Sequence, residues 1–147
     1  MNGMSLIVKR VTRYTVGLIL LYGLYIVLHG HLTPGGGFAG GVIIALSFIH
    51  FVLAFGREEA RKSVPERLLF LGESLGAIFF LAIGLLGITA GFFFLNFIAG
   101  AGTPFRLFSA GTIPFCNIAI GIKVGTGLFS IFIALSVFKL AREEGKK

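Results

Sequence analysis

The chain is 147 residues long, 56% hydrophobic with 17 phenylalanines, and only 13% charged. That is far more apolar than ordinary soluble usage and excludes both a water-soluble domain and a disordered polar segment. The net charge of +7 sits in short clusters at the borders of apolar stretches, an arrangement that fits anionic headgroups and argues against a nucleic-acid partner. The single cysteine, Cys116, excludes an internal disulfide, a cysteine-built metal site and an iron–sulfur cluster.

Four apolar stretches reach the roughly 20 residues that a bilayer crossing requires. They predict helices over 11–29, 37–56, 69–95 and 117–139 within a single membrane domain spanning 1–147. The first stretch follows basic residues, is full length and has no small-residue cleavage pattern, so it reads as a retained helix. Between the first two lies Gly30-His31-Leu32-Thr33-Pro34-Gly35-Gly36-Gly37-Phe38-Ala39-Gly40-Gly41. Such density of glycine around one proline predicts a sharp, uncharged hairpin packed closely against other backbone. The second helix opens on Gly36, Gly37, Gly40 and Gly41; the third carries Gly72, Gly76, Gly84, Gly87 and Gly91, and the fourth Gly121 and Gly125. Glycines four apart make flat packing faces. With such faces on three helices, partner subunits are expected in addition to internal packing. The third connection, 96–116, is too apolar for a solvated linker and too broken for a helix, with Phe94, Phe97, Phe105 and Phe108 expected as wedges against a neighbour or lipid.

Charge placement gives an orientation. Lys9, Arg10 and Arg13 precede the first helix; Arg57, Arg61, Lys62 and Arg67 fall in the second connection; Lys139, Arg142, Lys146 and Lys147 follow or end the fourth. The opposite side has only Arg106. The positive-inside rule then puts both termini in the cytoplasm and the glycine-rich hairpin outside, in the cell membrane.

Ionisable groups within the spans are the usual pointers to transport, because burial in lipid is costly. Glu73 is expected about one turn into the third helix, and Lys123 about two turns into the fourth from the outer side. Glu73 either complements the start of its helix or serves a charge elsewhere; Lys123 either snorkels outward or is paired and buried. His50 is a packing histidine or a proton relay, and His29 with His31 can hold a metal only if another chain adds ligands. No metal site is expected from this chain alone. The glycine run, Thr33, the two outer histidines and Lys123 share the outer half, so together they are expected to border a vestibule for a cation. The competing reading is structural, with Pro34, Gly35, Gly36, Gly37, Gly40, Gly41, Gly121 and Gly125 serving packing alone.

The segment from Gly30 to Gly41 resembles the G-H-x-x-P-G-G-G-F-x-G-G signature of the B subunit of Mrp-type (Mnh) multisubunit cation/proton antiporters. A second block, Asn117 to Leu128, is similar to the last helix of that family. The resemblance spans essentially the whole chain. It implies an all-α integral membrane subunit, itself non-catalytic and without a cofactor, in a complex exchanging Na+ for H+ alongside other Mrp-type membrane subunits. It equally implies a place in archaeal redox-driven pumps, beside hydrogenase-like or sulfur-reducing subunits. Lipid, Na+ and H+ are the remaining expected partners. An autonomous channel and an enzyme both fit poorly, since no polar stripe, nucleophile–base pair or phosphate loop is present.

Overall fold

The computed structural model describes residues 4–32, 35–56, 59, 62, 64–89, 91–96, 98 and 110–144, with backbone alone for 139–144. Four helices account for nearly all of them: α1 (Leu6–His29), α2 (Gly36–Phe55), α3 (Glu66–Thr89) and α4 (Ile113–Glu144). No strand occurs among the described residues, and Leu6–His29, Gly36–Phe55, Glu66–Thr89 and Ile113–Phe138 are each long and apolar enough to cross a membrane. The protein is an all-α membrane protein.

The helix ends differ from the expected ones for identifiable reasons. α1 begins at Leu6, so Lys9, Arg10 and Arg13 lie in its first turns and not ahead of it. Arg and Lys are good helix formers, and their stems can run along the helix while the charges reach the interface. The Arg13 guanidinium lies 6.0 Å from the centre of the Phe55 ring on α2. α3 starts at Glu66, directly after Pro65, and ends at Thr89, short of the expected 95. Gly91, at φ +133°, turns the chain back, and the Phe94 N–H donates to the Gly84 carbonyl at 3.3 Å. α4 starts at Ile113 with Pro114 in its first turn, where the missing N–H is no loss. Of the residues expected as wedges in this connection, Phe97, Phe105 and Phe108 lie outside the described residues, as does Arg106.

The helices form an open row in the order α1–α2–α4–α3, with a lighter contact between α1 and α4. α1 runs antiparallel to α2: a Cβ on Gly23 would stand 2.8 Å from Ile44 Cγ1, and one on Gly40 would meet Val27. α2 runs parallel to α4, glycine ridge on glycine ridge. A Cβ on Gly37 would lie 2.7 Å from the Asn117 carbonyl oxygen, and one on Gly41 2.8 Å from that of Gly121. Without a strong hydrophobic drive between helices in lipid, such backbone proximity is what gives van der Waals packing its strength. α2 is accordingly the most enclosed helix, with 33% of its most apolar stretch buried against 17% in α1. Gly35 begins α2 in the left-handed region, φ +84°, which a side chain would strain.

α3 rests on α4 and meets α2 near one end, where Leu69 joins Val52 and Phe129. The glycine faces are thus used inside the chain: Gly72 and Gly76 against α4, Gly84 and Gly87 against the returning segment 92–95. Their number is therefore largely taken up by internal packing.

Candidate functional site

α4 presents two ridges to two neighbours. Asn117, Gly121 and Gly125 face α2, whereas Ala119, Lys123 and Thr126 face α3. On α3, Gly72 and Gly76 make the approach possible: a Cβ on Gly76 would stand 2.9 Å from the Ala119 carbonyl oxygen and 3.0 Å from Lys123 N, and one on Gly72 2.7 Å from Thr126 Cγ2. Between these two contacts, Glu73 and Lys123 come together, with Nζ 4.0 Å from Oε1. Both side chains remain about half exposed, at 47% for Glu73 and 49% for Lys123.

This placement revises the expectations for both residues. Because α3 begins at Glu66, that residue supplies the negative charge in the first turn. Glu73 lies about 10 Å along the axis from the start, beyond the turn over which the helix dipole acts. Lys123 lies about 15 Å from Ile113, well inside the span of α4. Each charge finds its partner within the chain. Thr126, one turn further on, donates its hydroxyl to the carbonyls of Ile122 at 2.8 Å and Lys123 at 3.3 Å.

The hairpin end is a separate place. The His29 ring stacks on Tyr25 with centroids 5.1 Å apart and lies 6.0 Å from the His31 ring, whose Nδ1 is 3.2 Å from the Leu28 carbonyl oxygen. Gly30 and Gly36 touch backbone to backbone, and Asn117 fills the space over Gly30. The Asn117 Nδ2 is buried without a hydrogen-bond partner. Thr33 and Pro34 lie outside the described residues. Lys123 faces α3, while Gly30 of the hairpin meets Asn117 on the α2 side of α4. His50 is half-buried near the far end of α2. No group of three His, Cys, Asp or Glu able to hold a metal exists among the described residues.

Sequence reasoning named Glu73 and Lys123 singly and missed that they pair. The signal was present: Gly72 and Gly76 flank Glu73 at the spacing that lets another helix come close. Thr126 and Gly127, beside the pair, were passed over because a threonine and a glycine in an apolar helix carry no chemistry on their own.

An open row of helices long and apolar enough to cross a membrane, with an ion pair within their spans, is the build of a multi-pass membrane protein. Residues 7–130 match the family described as a domain related to the MnhB subunit of Na+/H+ antiporter, and the chain belongs to that family. A Methanocaldococcus jannaschii protein, MJ1307, is 38% identical over 136 residues, covering 88% of this chain and 52% of that one. A Staphylococcus epidermidis protein named "Putative antiporter subunit mnhB2" is 39% identical over 72 residues, 47% of this chain and 51% of its own. The chain thus spans about half the length of the curated relatives it matches. Among solved structures, a chain of the membrane-bound sulfane sulfur reductase, an archaeal respiratory membrane complex, superposes with a TM-score of 0.75 at 37% identity. That match covers 89% of this chain and 60% of the other.

Proposed function

We propose that this chain is a small, non-catalytic membrane subunit of a multisubunit cation/proton antiporter module that exchanges Na+ for H+. The observation that carries the reading is the half-exposed Glu73–Lys123 pair within the spans of a chain belonging to the MnhB-related family. An ion pair facing hydrocarbon is costly, so a row of helices that leaves one open on its side calls for polar protein or water against that side. Other membrane subunits supply that cover. The placement of basic residues supports cytoplasmic termini, with the glycine-rich hairpin on the outer side.

A second reading rests on the likeness to a chain of an archaeal respiratory complex. In it the same antiporter-type module is joined to a redox unit, and this chain keeps its role. Deletion of the chain from its host tests the common core. Everted membrane vesicles should then lose Na+-dependent dissipation of a proton gradient, and the intact chain supplied from a plasmid should restore it. Unchanged exchange in the deletion strain would overturn the proposal.

A further inference from the structure

The Glu73–Lys123 contact is looser than an ion pair that serves only to hold two helices. At 4.0 Å the ammonium and carboxylate attract each other without sharing a hydrogen bond, which for charged partners closes to about 2.7–2.9 Å. Among the described residues neither group has a further hydrogen bond or ion pair. A carboxylate can accept at about four lone-pair sites, so most of the capacity of Glu73 is open. Its surroundings keep it so. Gly127 stands opposite the Glu73 carboxyl, where a Cβ would come within 3.9 Å of Cδ and Oε1, and Gly72 and Gly76 remove side chains on the α3 face. The Thr126 hydroxyl oxygen, a donor to its own helix, keeps lone pairs free at the same contact.

We propose that Glu73 is an exchange site for Na+, at which the ammonium of Lys123 is the resident competitor. The inference rests on the Na+/H+ exchange reading above. A small hard cation takes oxygen ligands, and a half-exposed carboxylate with most of its lone-pair sites open offers them. The long stem of lysine lets the ammonium swing away from the carboxylate when Na+ arrives, and return when it leaves. The carboxylate is neutralised in either state, so neither leaves a lone negative charge in a low-dielectric setting. A tightly bonded, sealed pair would offer no such exchange.

The test uses the intact complex purified through this chain, at one fixed pH. Dicyclohexylcarbodiimide labels accessible membrane carboxyl groups, and the Glu73 peptide is quantified by mass spectrometry in Na+ or in choline at equal ionic strength. Na+ should suppress labelling of Glu73 where choline does not. Lys123→Gln should lower the half-suppressing Na+ concentration at least about tenfold, which is about 1.4 kcal/mol. Lys123→Arg, which keeps the charge, should stay close to the parent value and guards against a folding effect. Labelling that is equal in Na+ and choline would overturn the proposal. So would a Glu73 that reacts in the isolated chain but is sealed in the complex, as expected of a docking contact. Na+ exchange at parent Na+ dependence in Glu73→Gln removes this site and leaves the exchange reading standing. Na+-protected labelling in a complex without exchange leaves the site and removes that reading.

Discussion

Glycine positions in this chain divide sharply by what a single methyl group would meet. At Gly37 a Cβ would stand 2.7 Å from the Asn117 carbonyl oxygen and 2.9 Å from Asn117 Cα, both backbone atoms of α4. At Gly17 it would meet nothing within 4 Å. Gly37→Ala should therefore destabilise the fold by about 1–3 kcal/mol through overpacking. Gly17→Ala should be neutral or stabilise by up to about 1 kcal/mol through helix propensity. Thermal unfolding of the two variants in the same detergent checks the contrast. Asn96 is a second decisive residue: its Oδ1 accepts from the Thr112 N–H at 3.2 Å and its Nδ2 donates to the Ala110 carbonyl at 3.4 Å. These bonds tie the start of the third connection to the residues just ahead of α4. Asn96→Ala should cost about 1–3 kcal/mol by leaving a part-buried donor and acceptor unmade, read from the same unfolding measurement.

At the scale of elements, the segment after α3 behaves as part of that helix. Phe94 sits at φ +60°, a conformation uncommon for an aromatic residue, and its ring packs 4.9 Å from Phe80 and over Gly84. Phe94 is thus a wedge inside the chain, where lipid or a neighbour was expected. Gly84→Leu should lift Phe93 and Phe94 away, raising amide exchange at 92–95 while the first turns of α3 stay protected. The number and type of the helices were legible in the sequence because four strongly apolar stretches of crossing length admit little else. Their ends were less so. α3 stops early because Gly91 and the Phe94–Gly84 contact reverse the chain, and no local pattern separates that apolar turn from an apolar helix. The pairing of Glu73 with Lys123 needed the register between α3 and α4, which two glycines hint at and only packing sets. Sharing one half of the membrane likewise does not place residues on one face of a helix: the hairpin meets α4 at Asn117, whereas Lys123 faces Gly76 of α3.

At the scale of the molecule, the row α1–α2–α4–α3 leaves large apolar side chains outward on every helix, Leu18, Phe38, Ile78 and Ile131 among them. Such surface is ordinary against lipid and by itself identifies no partner. The ion pair is the discriminating feature, since lipid cannot cover it as protein or water can. A cysteine placed at Leu75 or Ile78, both exposed on α3, should crosslink to a second membrane subunit if the α3 side of the row is covered, whereas one at Gly17 on α1 provides the comparison. The most direct measurement of the central claim is to tag this chain, solubilise the membrane in mild detergent and identify what co-purifies by mass spectrometry. The account predicts other antiporter-type membrane subunits in fixed proportion, joined by iron–sulfur proteins if the module belongs to a redox-driven complex. A chain that purifies alone, folded and monodisperse, would contradict it.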